Sequence, residues 1–226
     1  FAAGRPEWET VGAQMTDDVT AFENMKLSLL NASHTLLSYP SFLGGYRKVD
    51  AAMHDERIKK FVRAFMDEDI TPYVPAPADT DLEEYKQTLV ERFGNRMVSD
   101  QVARLCFDGA SKFPVYVMPN LEKMIADDAD GKRVELKRVA YLFAAYRHYL
   151  KYKTDDNGEA FEVADPWLTA ADWKLIESDN VTDFLGVSAF TSTDIKSAAG
   201  FVSLYERMSS DIKNSGAMKV LEEEIL

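Results

Sequence analysis

The sequence has one cysteine, Cys106, and three histidines. A single cysteine excludes an internal disulfide and fits a reducing compartment. Zinc needs three or four Cys, His or carboxylate ligands in close array, and His34, His54 and His148 show no ligand-pair spacing on a shared helical face, so no metal site is expected. No run approaches the 18 or so consecutive apolar residues that span a bilayer, which argues against a membrane protein. Positive charge is also short, with 26 Lys and Arg against 38 Asp and Glu and a formal net charge of −12. Such a field repels phosphate backbones and argues against nucleic acid as a partner. A dinucleotide-binding fold would need strands alternating with helices and a glycine fingerprint opening the first helix. Gly44-Gly45 and Gly109 follow no hydrophobic strand at the required spacing, so the chain by itself offers no dinucleotide site. It starts at Phe1 and lacks the basic, apolar, small-residue order of a secretory signal, which suggests a piece of a longer, cytoplasmic protein.

What is present is helical periodicity. With 46% hydrophobic and 28% charged residues in 226, the composition is that of an ordinary globular domain. Residues 1–19 read as a linker or short strand, and residues 20–226 as one predominantly helical domain. Pro40 and Gly44-Gly45 mark a turn, followed by a short helix over 46–53. Asp55 is placed to cap a helix through Asp69, and Asp81 with Glu84 to open another that ends at Gly94. The Pro-rich stretch 71–77 reads as an extended crossing. Short helices are expected over 99–107 and from Pro119 to Ala126, and a long one from Arg133 to Lys153. Asn157-Gly158 signals a small hairpin. Thr169 with Asp172 starts a further helix, and segments 192–214 and 217–226 close the chain as helices. All-α is the economical architecture.

One stretch organises the rest. Residues 20–39 predict a helix, with Thr20 and Glu23 as a capping pair. Met25, Leu27, Leu29, Leu30, Leu36 and Leu37 point all round the axis, the pattern of a buried helix. Three polar groups sit within it. On an α-helix, with Lys26 at zero, His34 falls at about 80° and Asn31 at about 140°, over roughly 12 Å of axis.

Lys26-x4-Asn31-x2-His34 resembles the catalytic motif of the mannitol dehydrogenase family, the polyol-specific long-chain dehydrogenases. The likeness extends through Gly4-Arg5-Pro6, Thr16-Asp17-Asp18-Val19, residues 81–93 (DLEEYKQTLVERF) and Asp108-Gly109-Ala110-Ser111-Lys112-Phe113-Pro114. It is strong over residues 1 to about 150. Tyr39-Pro40-Ser41 departs from the Tyr-Leu-Gly expected after the motif helix.

The resemblance implies a C-terminal substrate domain whose nucleotide-binding partner domain precedes residue 1. It implies an NAD-dependent enzyme, acting without metal, that interconverts D-mannitol and D-fructose. A buried ammonium is disfavoured, and burial can lower a lysine from about 10.4 toward neutrality, so Lys26 suits the general base. Asn31 suits the donor to a substrate oxygen gaining negative charge, and His34 can hydrogen-bond the same or an adjacent hydroxyl. By the resemblance Arg104 and Lys112 hold distal hydroxyls. Asp108 and Ser111 shape the turn beside Lys112, and Thr16 and Asp17 approach the cofactor from the linker. Two other readings stand beside this one: a hexuronate oxidoreductase of the same family, with Arg104 and Lys112 meeting a carboxylate, and a noncatalytic helical interaction domain in which the polar groups are satisfied core residues.

Overall fold

The computed structural model describes residues 4–77, 80–132 and 134–226. Among these the chain is helical, with two isolated antiparallel bridges, Lys48 with Gln101 and Thr154 with Ala160. The α-helices in order are α1 (Val19–Met25), α2 (Ala32–Leu43), α3 (Val49–Met53), α4 (Glu56–Ala64), α5 (Leu82–Phe93), α6 (Val102–Cys106), α7 (Gly109–Lys112), α8 (Met118–Ala129), α9 (Lys137–Tyr152), α10 (Ala170–Glu177), α11 (Ala199–Ser215) and α12 (Ala217–Val220). The architecture is all-α, as the scarcity of strand patterning predicts.

Local chemistry fixes many of the starts. Asp55 accepts from the Arg57 amide at 2.8 Å, and Asp81 from the amides of Glu83 and Glu84 at 2.8 and 3.1 Å. Thr169 and Asp172 form a reciprocal capping box. Each bond satisfies an amide that a helix start leaves orphaned. Pro119 lies in the first turn of α8, where a missing N–H costs nothing.

Other expectations are corrected. Asp18, not Thr20, caps the first helix, its carboxylate accepting from the Thr20 amide at 2.9 Å. Pro40 does not end the helix. Backbone from Leu36 to Leu43 is buried, and the helix runs through Pro40 to Gly44, whose amide donates to the Pro40 carbonyl at 2.8 Å. Enclosure on all sides here outweighs the roughly 3 kcal/mol that an interior proline costs. The helix foreseen over 46–53 is only α3, and the extended crossing at 71–77 begins as a 3-10 turn, Thr71–Tyr73. The foreseen hairpin shrinks to the single Thr154–Ala160 bridge, with Gly158 at φ +81° in its turn. The predicted start at Arg133 lies outside the described residues.

The core is built on α9, which packs against both α11 and α2. Tyr141, Phe143 and Tyr146 of α9 are fully buried, and Phe113 stacks on Tyr146 with centroids 4.7 Å apart. The α6–α7 corner rests on this aromatic floor through Gly109. A Cβ there would run into the hydroxyls of Tyr39 and Tyr146. Gly109→Ala is therefore expected to destabilise the domain by about 1–3 kcal/mol, the usual cost of overpacking. Thermal melts check this, and Tyr39→Phe should recover part of the loss, whereas an unchanged melting temperature would refute the close approach.

Candidate active site

The helix bearing Lys26, Asn31 and His34 is not a single α-helix. Between α1 and α2 lies a π-helical turn, Lys26–Asn31, with the Ala32 amide donating to the Leu27 carbonyl five residues back. A turn closed at i→i+5 holds one residue more than an α-turn, so Lys26 and Asn31 lie near the same side of the axis instead of about 140° apart. The expected angular spread is thereby corrected, and toward convergence.

Depth differs among the three. Asn31 and His34 are half-buried, whereas Lys26 is exposed. The burial anticipated for Lys26 is thus not supplied by the described residues. The Asn31 side-chain oxygen is buried without a hydrogen-bond partner. That oxygen can accept a further hydrogen bond. His34 lies against Phe93 of α5, ring centroids 4.2 Å apart. Burial above all pulls its pKa down to about 4, with Asp100 opposing and Arg104, Lys112 and Arg92 reinforcing. At neutral pH it is a neutral ring with one donor nitrogen and one acceptor.

That shift has a stability consequence. With a folded pKa of about 4 against an ordinary 6.5, the folded state binds fewer protons than the unfolded chain between those values. Stability is therefore full above 6.5 and falls as pH drops toward 4, by up to ~1.4 kcal/mol per pH unit. Denaturant titrations of wild type and His34→Gln across this window check it. The difference between them should shrink as pH falls, and a constant difference would contradict the assigned shift.

Two cavities meet at His34. One, of about 150 Å3, brings Asn31 and His34 together with Arg104, Lys112 and Tyr116. The other, of about 200 Å3, is more apolar and includes Phe93, Val98 and Asp100. Four of the residues singled out in the sequence, drawn from α2, its preceding π-turn, α6 and α7, thus line one space. Arg104 reaches it from an exposed side chain held by Asp100. Lys112 turns its ammonium onto the end of α6, donating to the carbonyls of Leu105 at 2.9 Å and Phe107 at 2.7 Å and pairing with Asp108 at 2.7 Å. These bonds satisfy carbonyls that α6 leaves open, so Lys112 builds the cavity wall as well as charging it. Asp108 stands at φ +57°, its carbonyl accepting the Ser111 hydroxyl at 3.0 Å, which is the turn expected of that pair.

Thr16 and Asp17 are exposed, and Thr16 borders a separate cavity of about 310 Å3 that shares no lining residue with the two at His34. Of the residues in the cavity, sequence reasoning missed Tyr116. It also missed Asp100, which a signal could have revealed, since Asp100 and Arg104 are an i,i+4 opposite-charge pair opening a helix. Among the described residues no three His, Cys, Asp or Glu are gathered as a metal would require, and no helix is long and apolar enough to cross a membrane. Among the described residues Gly216 is a positive-φ glycine that opens a helix, and that helix, α12, is four residues long.

Residues 18–212 match the mannitol dehydrogenase C-terminal domain. The chain belongs to the mannitol dehydrogenase family. It is 34% identical over 225 residues to a mannitol 2-dehydrogenase of Aspergillus fumigatus, covering 98% of this chain and 44% of that protein. A polyol:NADP oxidoreductase of Gluconobacter oxydans is 35% identical over 190 residues, covering 84% and 38% respectively. The fold superposes on Pseudomonas fluorescens mannitol 2-dehydrogenase, solved as a ternary complex with NAD and D-mannitol, with a TM-score of 0.86 at 39% identity over 98% of this chain and 44% of that one. The chain spans less than half the length of these relatives, and what it matches is their C-terminal half. In this chain Lys26, Asn31 and His34 lie along one continuous helical run, and Arg104 and Lys112 come from α6 and α7, beyond three intervening α-helices.

Proposed function

We propose that this chain is the substrate-binding, catalytic half of an NAD-dependent polyol dehydrogenase that interconverts D-mannitol and D-fructose. The observation that carries the reading is the convergence of Asn31, His34, Arg104 and Lys112 on one small cavity. A linear polyol offers a row of hydroxyls, each a donor and an acceptor, and this lining answers with an amide, a neutral imidazole and two cations. Residues 1–19 connect the domain to a nucleotide-binding half. NAD held there supplies the hydride acceptor.

Lys26 takes the proton from the hydroxyl being oxidised. It stands one wide helical turn from Asn31, and its exposure in the isolated chain is relieved when the nucleotide-binding half closes over it. Asn31 donates an amide N–H to the same oxygen, and aligned donors of this kind act where charge develops. His34 fixes an adjacent hydroxyl, and Arg104 the distal ones. Lys112 keeps the corner of α6 in place and adds positive potential.

Turnover by the full-length protein tests the reading. D-mannitol oxidation with NAD and D-fructose reduction with NADH are expected, unaffected by exhaustive chelation, while calorimetry should find only weak NAD binding by the 226-residue chain. Preference for fructuronate over fructose would move the assignment to the hexuronate oxidoreductases. No turnover of either ketose would leave a noncatalytic domain. Micromolar NAD binding by the chain alone would overturn the division of labour.

A further inference from the structure

Arg104 is the most exposed of the cavity's polar residues, with 65% of its side chain accessible. A free arginine in that state samples many rotamers, and its guanidinium would lose them on meeting a substrate. Here it is not free. Asp100 accepts from Arg104 Nε at 2.8 Å and closes a second, shorter bond to Nη2, a two-pronged pairing that fixes the plane of the guanidinium as well as its position. The Arg104 guanidinium in turn holds the Asp100 carboxyl below its ordinary range.

Asp100 is itself firmly seated. Its Oδ1 accepts the Gln101 amide at 2.8 Å and its carbonyl accepts the Val49 amide at 2.9 Å. Alongside, the Val102 amide donates to the Arg47 carbonyl at 3.1 Å, and the Lys48–Gln101 bridge ties the same two segments. The preceding residue, Ser99, stands at φ +44°, a left-handed conformation that a serine keeps only when its surroundings impose it. Asp100 also lines the apolar cavity beside His34, while the arginine it holds lines the other.

Building on the proposed polyol reading, we infer that Asp100 is a positioning residue, whose carboxylate holds the Arg104 guanidinium pre-aimed at the distal hydroxyls of the substrate. It touches no substrate atom. Its removal should weaken binding through Arg104 and leave the reacting carbon in place.

The full-length enzyme tests this. Asp100→Asn should raise KM for the polyol about tenfold, the loss of one charge-assisted bond, with kcat within about threefold. Arg104→Lys, which keeps the charge but not the fork, should give a similar KM. The double variant should be no worse than Arg104→Lys alone, because Asp100 acts through the guanidinium. Additive losses, or an unchanged KM in Asp100→Asn, would overturn the inference. A readout independent of turnover separates its failure from that of the functional reading: the Arg104 Nε–H resonance, assigned by its loss in Arg104→Lys, should be protected from exchange in wild type and unprotected in Asp100→Asn. If wild type turns over no polyol but this signal behaves as stated, the pairing stands and the polyol reading falls. A signal indifferent to Asp100 refutes the inference.

Discussion

Lys26→Ala in the full-length enzyme is expected to lower the rate constant for alcohol oxidation by at least ~100-fold, the usual loss on removing a general base. Cofactor binding should survive, since the proposed function places the dinucleotide in the other half of the protein. In wild type, oxidation should speed up with rising pH and ketone reduction slow down, because one direction needs the base free and the other needs it protonated. The alanine variant should lose that opposition, and a small primary amine added to it should restore part of the rate by entering the vacated volume. Stopped-flow measurement of both directions from acid to alkaline pH decides the matter. Near-normal turnover with the wild-type profile would place the base elsewhere. Because Lys26 is exposed in the isolated chain, the same experiment reads whether closure of the other half of the protein completes its surroundings.

Asn31→Ala should cost about 10²–10³-fold in kcat, the scale for removing one donor to a developing oxyanion, and should keep the pH dependence because the titrating group remains. The loss should fall on kcat and kcat/KM together, as it does for an interaction made chiefly in the transition state. Stability should change little or even rise, since the wild-type side chain leaves a buried oxygen unpartnered. A variant that binds polyol poorly yet turns over at the wild-type rate would make Asn31 a ground-state contact instead.

Three helix starts set by a short-range side-chain bond were legible. Asp55, Asp81 and the Thr169–Asp172 box each satisfy amides within four residues, so a reader of sequence sees both partners at once. Asp18 was overlooked for Thr20 because both are competent caps and only the path of residues 4–18 decides between them. Pro40 misled in the opposite sense: its local preference is to stop a helix, and burial of the surrounding turn overrides it. In the site, the motif residues were legible as types at a spacing, but their arrangement was not. Neither the π-turn nor the exposure of Lys26 has a local signature, since one depends on which carbonyl each amide selects and the other on what covers the helix. Lys112 shows the same limit, because the carbonyls it meets belong to a corner whose shape depends on Gly109 lying against Tyr39 and Tyr146.

The wide turn also changes what counts as an equivalent motif in another protein. On an uninterrupted α-helix four residues advance about 400°, so the pair that stacks is spaced by four, not five. A chain with Lys-x3-Asn on a regular helix could present the same two groups to the same side of that helix, whereas one with Lys-x4-Asn on a regular helix would turn them to different sides. Matching the letters of Lys26-x4-Asn31 is thus insufficient unless the match also carries the extra residue as a bulge. A comparison that permits a one-residue gap within that turn will find functional counterparts that a rigid pattern rejects.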